Sequence, residues 1–432
     1  MFTCAFCRYS WSPPPIDKLM GLSEGIYELR GTVMATATVD IASDDSLVAL
    51  KCTGCGADVV INTDASLQAR CHWCRHTLSL NDRIDNGAVP DGILPFQITK
   101  EQAMAAITSF AAMRQGFQHP SFRTSFEPAN VMGVYLPYMT VDAHVAVRLE
   151  GVGEIYDRGW HMTGGESDEY HVNEFSVART LGVLVDDVEV PSASGSANPT
   201  APDRTNNILG ALLPFDVKNM VRFDAHYLGT QFSAARRDMN VQDAEGFAYS
   251  HVLTIARNAV RKSLARYERG VRWDAAHVGV VGSRWTSVLA PVWLYGFVED
   301  TASGPVTHYV GVNGRTGVVM GSIPIDRPKL VRASWLAGIA TFVLGILSFF
   351  ITAGIPVILA PFVGWGVYWW FNRKYRNDNA RYKPEAVVAQ SVFDLKEEDR
   401  YTGQFVRRVL FVEGRNEHDP TKPIKKVTIS RA

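Results

Sequence analysis

Net charge is almost absent from this chain of 432 residues. It carries 43 basic and 44 acidic side chains, so no overall basic field points to nucleic acid. Cysteine is scarce, with six in all. The opening Met1-Phe2-Thr3-Cys4 lacks the basic region and apolar core of a secretory signal, so the first 330 or so residues are expected in the reducing cytosol. There, paired cysteines more often bind metal than form disulfides. Catalytic signatures are missing as well. There is no Walker loop, no His-Glu-x-x-His, no Gly-x-Ser-x-Gly and no dinucleotide fingerprint. An enzyme is therefore not expected.

The last absence is the most informative. Between Ala333 and Phe371 there is no Asp, Glu, Lys or Arg. A bilayer core takes about 20 apolar residues per helix, so this run fits two spans. Thr352-Ala353-Gly354-Ile355-Pro356 marks a turn at its middle. A transmembrane helical hairpin is expected over 333–371, with helices at about 334–351 and 357–371. Lys329 and Arg332 precede it, and Arg373, Lys374 and Arg376 follow. With both basic flanks inside, head and tail are expected on the cytoplasmic side of the membrane. Trp335, Trp365, Tyr368, Trp369 and Trp370 occupy interfacial positions. Gly364 and Gly366 would allow close helix contact.

What is present before the hairpin centres on metal. Cys52-Thr53-Gly54-Cys55 is separated by 15 residues from Cys71-His72-Trp73-Cys74, the spacing of a zinc ribbon. Each Cys-x-x-Cys makes a knuckle that turns two thiolates toward one ion. Four thiolates close a tetrahedron, which makes the site structural. The expected ribbon, 50–80, has a strand from Ala57 to Asn62 returning through Leu67 to Arg70. Being small, it would draw its folding energy from Zn2+. Cys4-Ala5-Phe6-Cys7 is a further half-site within a turn-rich segment, 1–49. A metal ligand role for Cys4 and Cys7 competes with a redox pair there.

Two strings recur in the same order. Ile93-Leu94-Pro95-Phe96 is echoed by Leu212-Leu213-Pro214-Phe215, and Val134-Tyr135-Leu136-Pro137-Tyr138 by Val288-Leu289-Ala290-Pro291-Val292. Internal repetition of this kind implies two related α+β halves, 90–190 and 208–325, joined by a Ser/Gly/Pro linker at 191–207. The fold class is thus α+β: an N-terminal zinc ribbon, a duplicated cytosolic body and a two-helix anchor. A long helix is expected from Ala244 to Tyr267. Its apolar stripe is Leu253, Ala256, Val260, Leu264 and Tyr267. Arg257, Arg261, Lys262, Arg266 and Arg269 form a basic face for headgroups or phosphates. Asp186, Asp187 and Glu189 read as an acidic surface loop, and Gly151-Val152-Gly153 as a turn. Residues 372–432 read as a polar tail, mostly unstructured, with a short strand or helix near Phe405–Val412.

Taken together, these marks resemble the bacterial TFIIB-type zinc-ribbon-containing membrane proteins. They are Cys52, Cys55, Cys71 and Cys74, then Leu94-Pro95-Phe96, Phe117, Pro120, Phe122, Val134 to Tyr138 and Phe223 to Gly229. A similar zinc-ribbon membrane protein of firmicutes is linked to the phage-shock response. The resemblance therefore implies a non-enzymatic adaptor that docks a protein partner, or a second copy of itself, at the membrane under envelope stress. A membrane-tethered nucleic-acid-binding protein is the alternative, resting on the ribbon and the basic helix.

Overall fold

The computed structural model describes residues 13–22, 24–34, 47–53, 57–62, 69–75, 90–156, 169–193, 212–229, 231–237, 239–301, 304–321, 323–347, 355–375, 409–416 and 425–430, with shorter stretches before residue 85. The architecture is α+β. In chain order the elements are β1 (Leu47–Lys51), β2 (Asp58–Asn62), β3 (Ala69–Arg70), β4 (Thr77–Leu78), α1 (Lys100–Ala112), β5 (Met132–Tyr156) and β6 (Glu169–Pro191). Then come β7 (Phe232–Ala235), α2 (Val241–Val260), β8 (Val271–Thr301), β9 (Gly304–Asn313), α3 (Arg327–Leu347), α4 (Ile355–Tyr375), β10 (Val409–Asn416) and β11 (Lys425–Ser430).

One mixed sheet organises the body. β5 runs antiparallel to β6 on one side and to β8 on the other, and β8 pairs with β9. The two recurrent strings meet inside this sheet. Val134↔Val292, Leu136↔Ala290 and Tyr138↔Val288 are cross-strand partners. Gly151 and Gly153 make no turn: both lie within β5. A Cβ on Gly151 would sit 2.2 Å from the Arg272 carbonyl oxygen, and one on Gly153 would sit 2.4 Å from the Tyr267 ring. These glycines serve close approach rather than chain reversal.

The helices start where local chemistry dictates. Thr99 accepts from the Gln102 N–H while Gln102 reaches back to the Thr99 N–H, and Asn240 and Asp243 do the same for α2. α2 ends at Val260 and continues as a 3-10 turn to Leu264, shorter than the sequence suggests. Its buried Ala244, Ala248, Val252, Ala256 and Val260 recur every four residues, and they pack on Val145, Val147, Val183 and Val185 of β5 and β6. α1 instead packs Ala103, Ile107 and Phe110 against Trp293, Tyr295, Val310 and Val312 of β8 and β9. Each helix thus covers the hairpin of the other half. The stretches 90–190 and 208–325 are interlocked, not set side by side.

α3 and α4 form an antiparallel pair beyond the sheet. Among the described residues, α3 is the one helix long and apolar enough to cross a membrane. The two helices touch at glycine. A Cβ on Gly364 would lie 3.0 Å from the Ser334 carbonyl oxygen, whereas Gly366 has open space around it. Trp335, Phe342, Trp365 and Tyr368 line an apolar groove of about 450 Å3 between them. Leu336, Leu347, Ile358 and Trp365 stand more than 60% exposed. The Asp326 side chain accepts from the Lys329 N–H, and the Asp326 N–H donates to the Phe117 carbonyl. Phe371, near the end of α4, meets the same Phe117 edge-on at 4.7 Å. Entry and exit therefore lie together at the body.

The tail returns to the sheet, with one strand where a short element was expected and a second where none was. β10 pairs with Arg179–Val185 of β6 and β11 with Glu169–Glu174. An uncovered edge strand presents unpaired backbone groups, and the tail satisfies them. Most of the 191–207 linker lies outside the described residues.

Candidate metal centre

Two short hairpins position the cysteines. Cys52 follows β1, and its N–H donates to the Ala57 carbonyl at the start of β2. Cys71 follows β3, and the Arg75 N–H donates back to its carbonyl before β4. Arg75 takes a left-handed φ of 64°, which lets the chain turn sharply after Cys74. The expected hairpin is corrected here. β2 does not pair with β3. It pairs with β1, and β3 pairs with β4, so each knuckle closes its own hairpin.

These turns bring the sulfurs of Cys52, Cys71 and Cys74 within 4.8 Å of one another. Cys52 Sγ and Cys74 Sγ are 3.5 Å apart. That is far too long for a disulfide, whose S–S bond is about 2.05 Å. Thiolates at about 2.3 Å from a tetrahedral zinc lie about 3.8 Å from each other, so this spacing suits Zn2+. Cys55 and Cys4 lie outside the described residues. Cys7 is exposed and is not part of the group.

The cysteine hairpins do not form a small separate unit without a core. Leu50, Val59, Ile61, Cys52, Cys71 and Trp73 are buried in one cluster with Leu136, Tyr138 and Val292 of the body. β2 joins the main sheet by pairing with Ala234–Ala235 of β7. Trp73 packs edge-on against Tyr309 at 4.8 Å. Arg75 donates to the Gly296 carbonyl at 2.5 Å and lies over the Tyr295 ring. Gly296 has no room for a side chain, since a Cβ there would fall 2.1 Å from the Trp73 carbonyl oxygen. His72, between the two cysteines of the second knuckle, lies in the interior. It is fully buried, its Nδ1 is 3.0 Å from Ser233 Oγ, and burial pushes its imidazole down to about 3. It therefore stays neutral.

The basic residues expected on one helix face divide between α2 and the segment after it, and Arg266 and Arg269 stay exposed while making contacts. Arg269 pairs with Glu154 at 2.9 Å, and Arg266 lies over the Phe175 and Tyr267 rings. Arg257 and Arg261 are exposed too. Asp186, Asp187 and Glu189 are not in a surface loop. All three are buried inside β6, where a break in the pairing register with β5 tucks them inward.

No family model matches the chain, and no solved structure matches it. Over 265 residues, 60% of this chain and 71% of the relative, it is 24% identical to the Bacillus subtilis (strain 168) protein described as "Uncharacterized protein YdjG".

Proposed function

We propose that this chain is a non-enzymatic, membrane-anchored adaptor of the bacterial cytoplasmic membrane. A structural zinc at Cys52, Cys55, Cys71 and Cys74 stiffens its N-terminal part, and α3 and α4 hold it in the bilayer with both termini cytoplasmic. One observation carries the reading. The chain leaves the body at Arg327, and its tail strands β10 and β11 pair with β6 of the same body. A helical pair with exposed apolar sides, entered and left at one end, suits a lipid-embedded hairpin. The interlocked halves are read as a duplication, because the copies of one recurrent string, 134–138 and 288–292, are each other's strand partners.

α2 covers one side of the β5–β8 sheet. The other side leaves Ala146, Arg148, His277 and Gly279 exposed and adjacent across the two strands. That face offers a protein partner a rigid surface, and the family resemblance implies an interaction in envelope stress. The tethered nucleic-acid reading rests on Arg257, Arg261, Arg266 and Arg269, which are exposed among the described side chains.

The test is photo-crosslinking in intact membranes from positions 148 and 277, with mass spectrometry of the adducts. A discrete protein adduct, lost when residues 327–375 are deleted, supports the adaptor. Salt-dependent RNA or DNA binding that falls in an Arg257→Glu, Arg261→Glu variant would replace it with the nucleic-acid reading.

A further inference from the structure

The break in register between β5 and β6 sets one residue against two. Val141 pairs with Val188 and Ala143 with Val185, so Asp142 faces Asp186 and Asp187 together. This is a β-bulge, a device that re-aims side chains. Asp187 takes a left-handed φ of 57°, and its N–H donates to Asp142 Oδ1 at 2.9 Å. All three carboxylates are at least nine-tenths buried. One oxygen from each lies within 4.8 Å of the others.

Burying three carboxylates together is costly unless cations answer them. Arg284 donates to Asp142 Oδ2 at 3.2 Å, and Lys218 donates to Asp186 Oδ2 at 2.7 Å. Asp187 is a third acid on the same spot. Asp186 Oδ1 is buried and has no hydrogen-bond donor. A carboxylate oxygen in that position wants a proton or a metal. Burial, with Asp186 beside it, pushes the Asp142 carboxyl up to about 7, against the pull of the Asp187 N–H and Arg284.

We propose that Asp142, Asp186 and Asp187 form a second metal site, distinct from the cysteines, that takes a hard divalent cation such as Ca2+. Carboxylate oxygens are the ligands such ions prefer, at about 2.3–2.6 Å for Ca2+. Oxygens that share one Ca2+ are therefore at most about 4.6–5.2 Å apart, and the three oxygens, all within 4.8 Å of one another, are close enough to share an ion. Zn2+ stays with the thiolates, because soft and hard ligands sort the two ions. Lys218 guards the way in. Its side chain is 43% exposed while Asp186 is 2% exposed. The incoming ion takes over the partner role of the ammonium at Asp186, and Lys218 swings to solvent.

The experiment uses the full chain, purified in detergent with its zinc retained. Mn2+ is titrated and followed by its electron paramagnetic resonance signal, and Ca2+ is added as competitor. The expected result is one saturable Mn2+ per chain, displaced by Ca2+, with zinc content unchanged. Asp186→Asn is expected to weaken it at least tenfold, and Lys218→Ala to tighten it. No saturable binding below about 1 mM would overturn the site, as would Asp186→Asn and Asp187→Asn variants that both bind like wild type. Should both variants fail to fold, the unmodified chain decides. A melting temperature raised by millimolar Ca2+ supports the site, and an unchanged one overturns it.

Discussion

Gly296→Ala probes the docking of the second cysteine knuckle on the sheet. The added methyl would sit 2.1 Å from the Trp73 carbonyl oxygen. Ordinary C···O contact is about 3.3–3.6 Å, so the knuckle must retreat by more than about 1 Å. Overpacking of this kind costs about 1–3 kcal/mol. Removing a glycine from the unfolded chain returns about 0.4–1 kcal/mol. The Arg75 stack on Tyr295, worth about 0.5–1 kcal/mol, would be disturbed as well. A net loss of about 1–2 kcal/mol is expected. The control is Gly279→Ala, whose Cβ would lie an ordinary 3.8 Å from the Ala146 carbonyl oxygen. Both variants are melted in detergent by tryptophan fluorescence, and zinc release is followed with a chromogenic chelator. Gly296→Ala should melt lower than the control and release zinc faster. Equal melting and wild-type release would refute the docked ribbon.

Other outcomes follow from the same geometry. Cys52→Ser should abolish stoichiometric zinc and destabilise β1 and β2, and unchanged zinc by elemental analysis would contradict the assignment. Because those strands share the body's core, hydrogen exchange should rise there while α2 on β5 and β6 stays protected. Burial raises the Asp91 carboxyl to about 6, against the Ser287 N–H and Arg237. A raised acid favours the folded state at low pH, and that contribution is lost as pH climbs from about 4 through 6. The melting temperature of Asp91→Asn minus that of wild type should therefore rise across this window and then level off. A difference flat with pH would be contrary. Gly364→Val should separate α3 from α4, because a Cβ there already meets the Ser334 carbonyl at 3.0 Å. Engineered disulfide crosslinking between the helices should fall, and unchanged crosslinking would argue against the packing.

Much of this was legible in residue order. The Cys-x-x-Cys pairs announce a shared site because ligand spacing is local. The helical pair is legible because a long charge-free run is interrupted at its middle by Gly354 and Pro356. The long helix is legible from its apolar stripe, though it starts at Val241 and not at Ala244. What escaped was non-local. β5 and β8, at 25 and 31 residues, are far longer than ordinary strands of about 5–6. Their glycines read as turns because the Tyr267 ring and the Arg272 backbone that press on them come from distant sequence. The Asp142–Asp186–Asp187 cluster was hidden for the same reason: a bulge, not proximity in the chain, brings Asp142 to its partners. β10 overlaps the short strand or helix expected near Phe405–Val412, whereas β11 was missed because its stability comes from an edge it finds only after folding.

The central claim is that a helical pair holds the chain in the membrane with its head and its tail on one side. Tags at the two termini, challenged with protease in spheroplasts and in inside-out vesicles, test it most directly. Both tags should survive in spheroplasts and both should be cleaved in inverted vesicles. One tag cleaved in each preparation would contradict it.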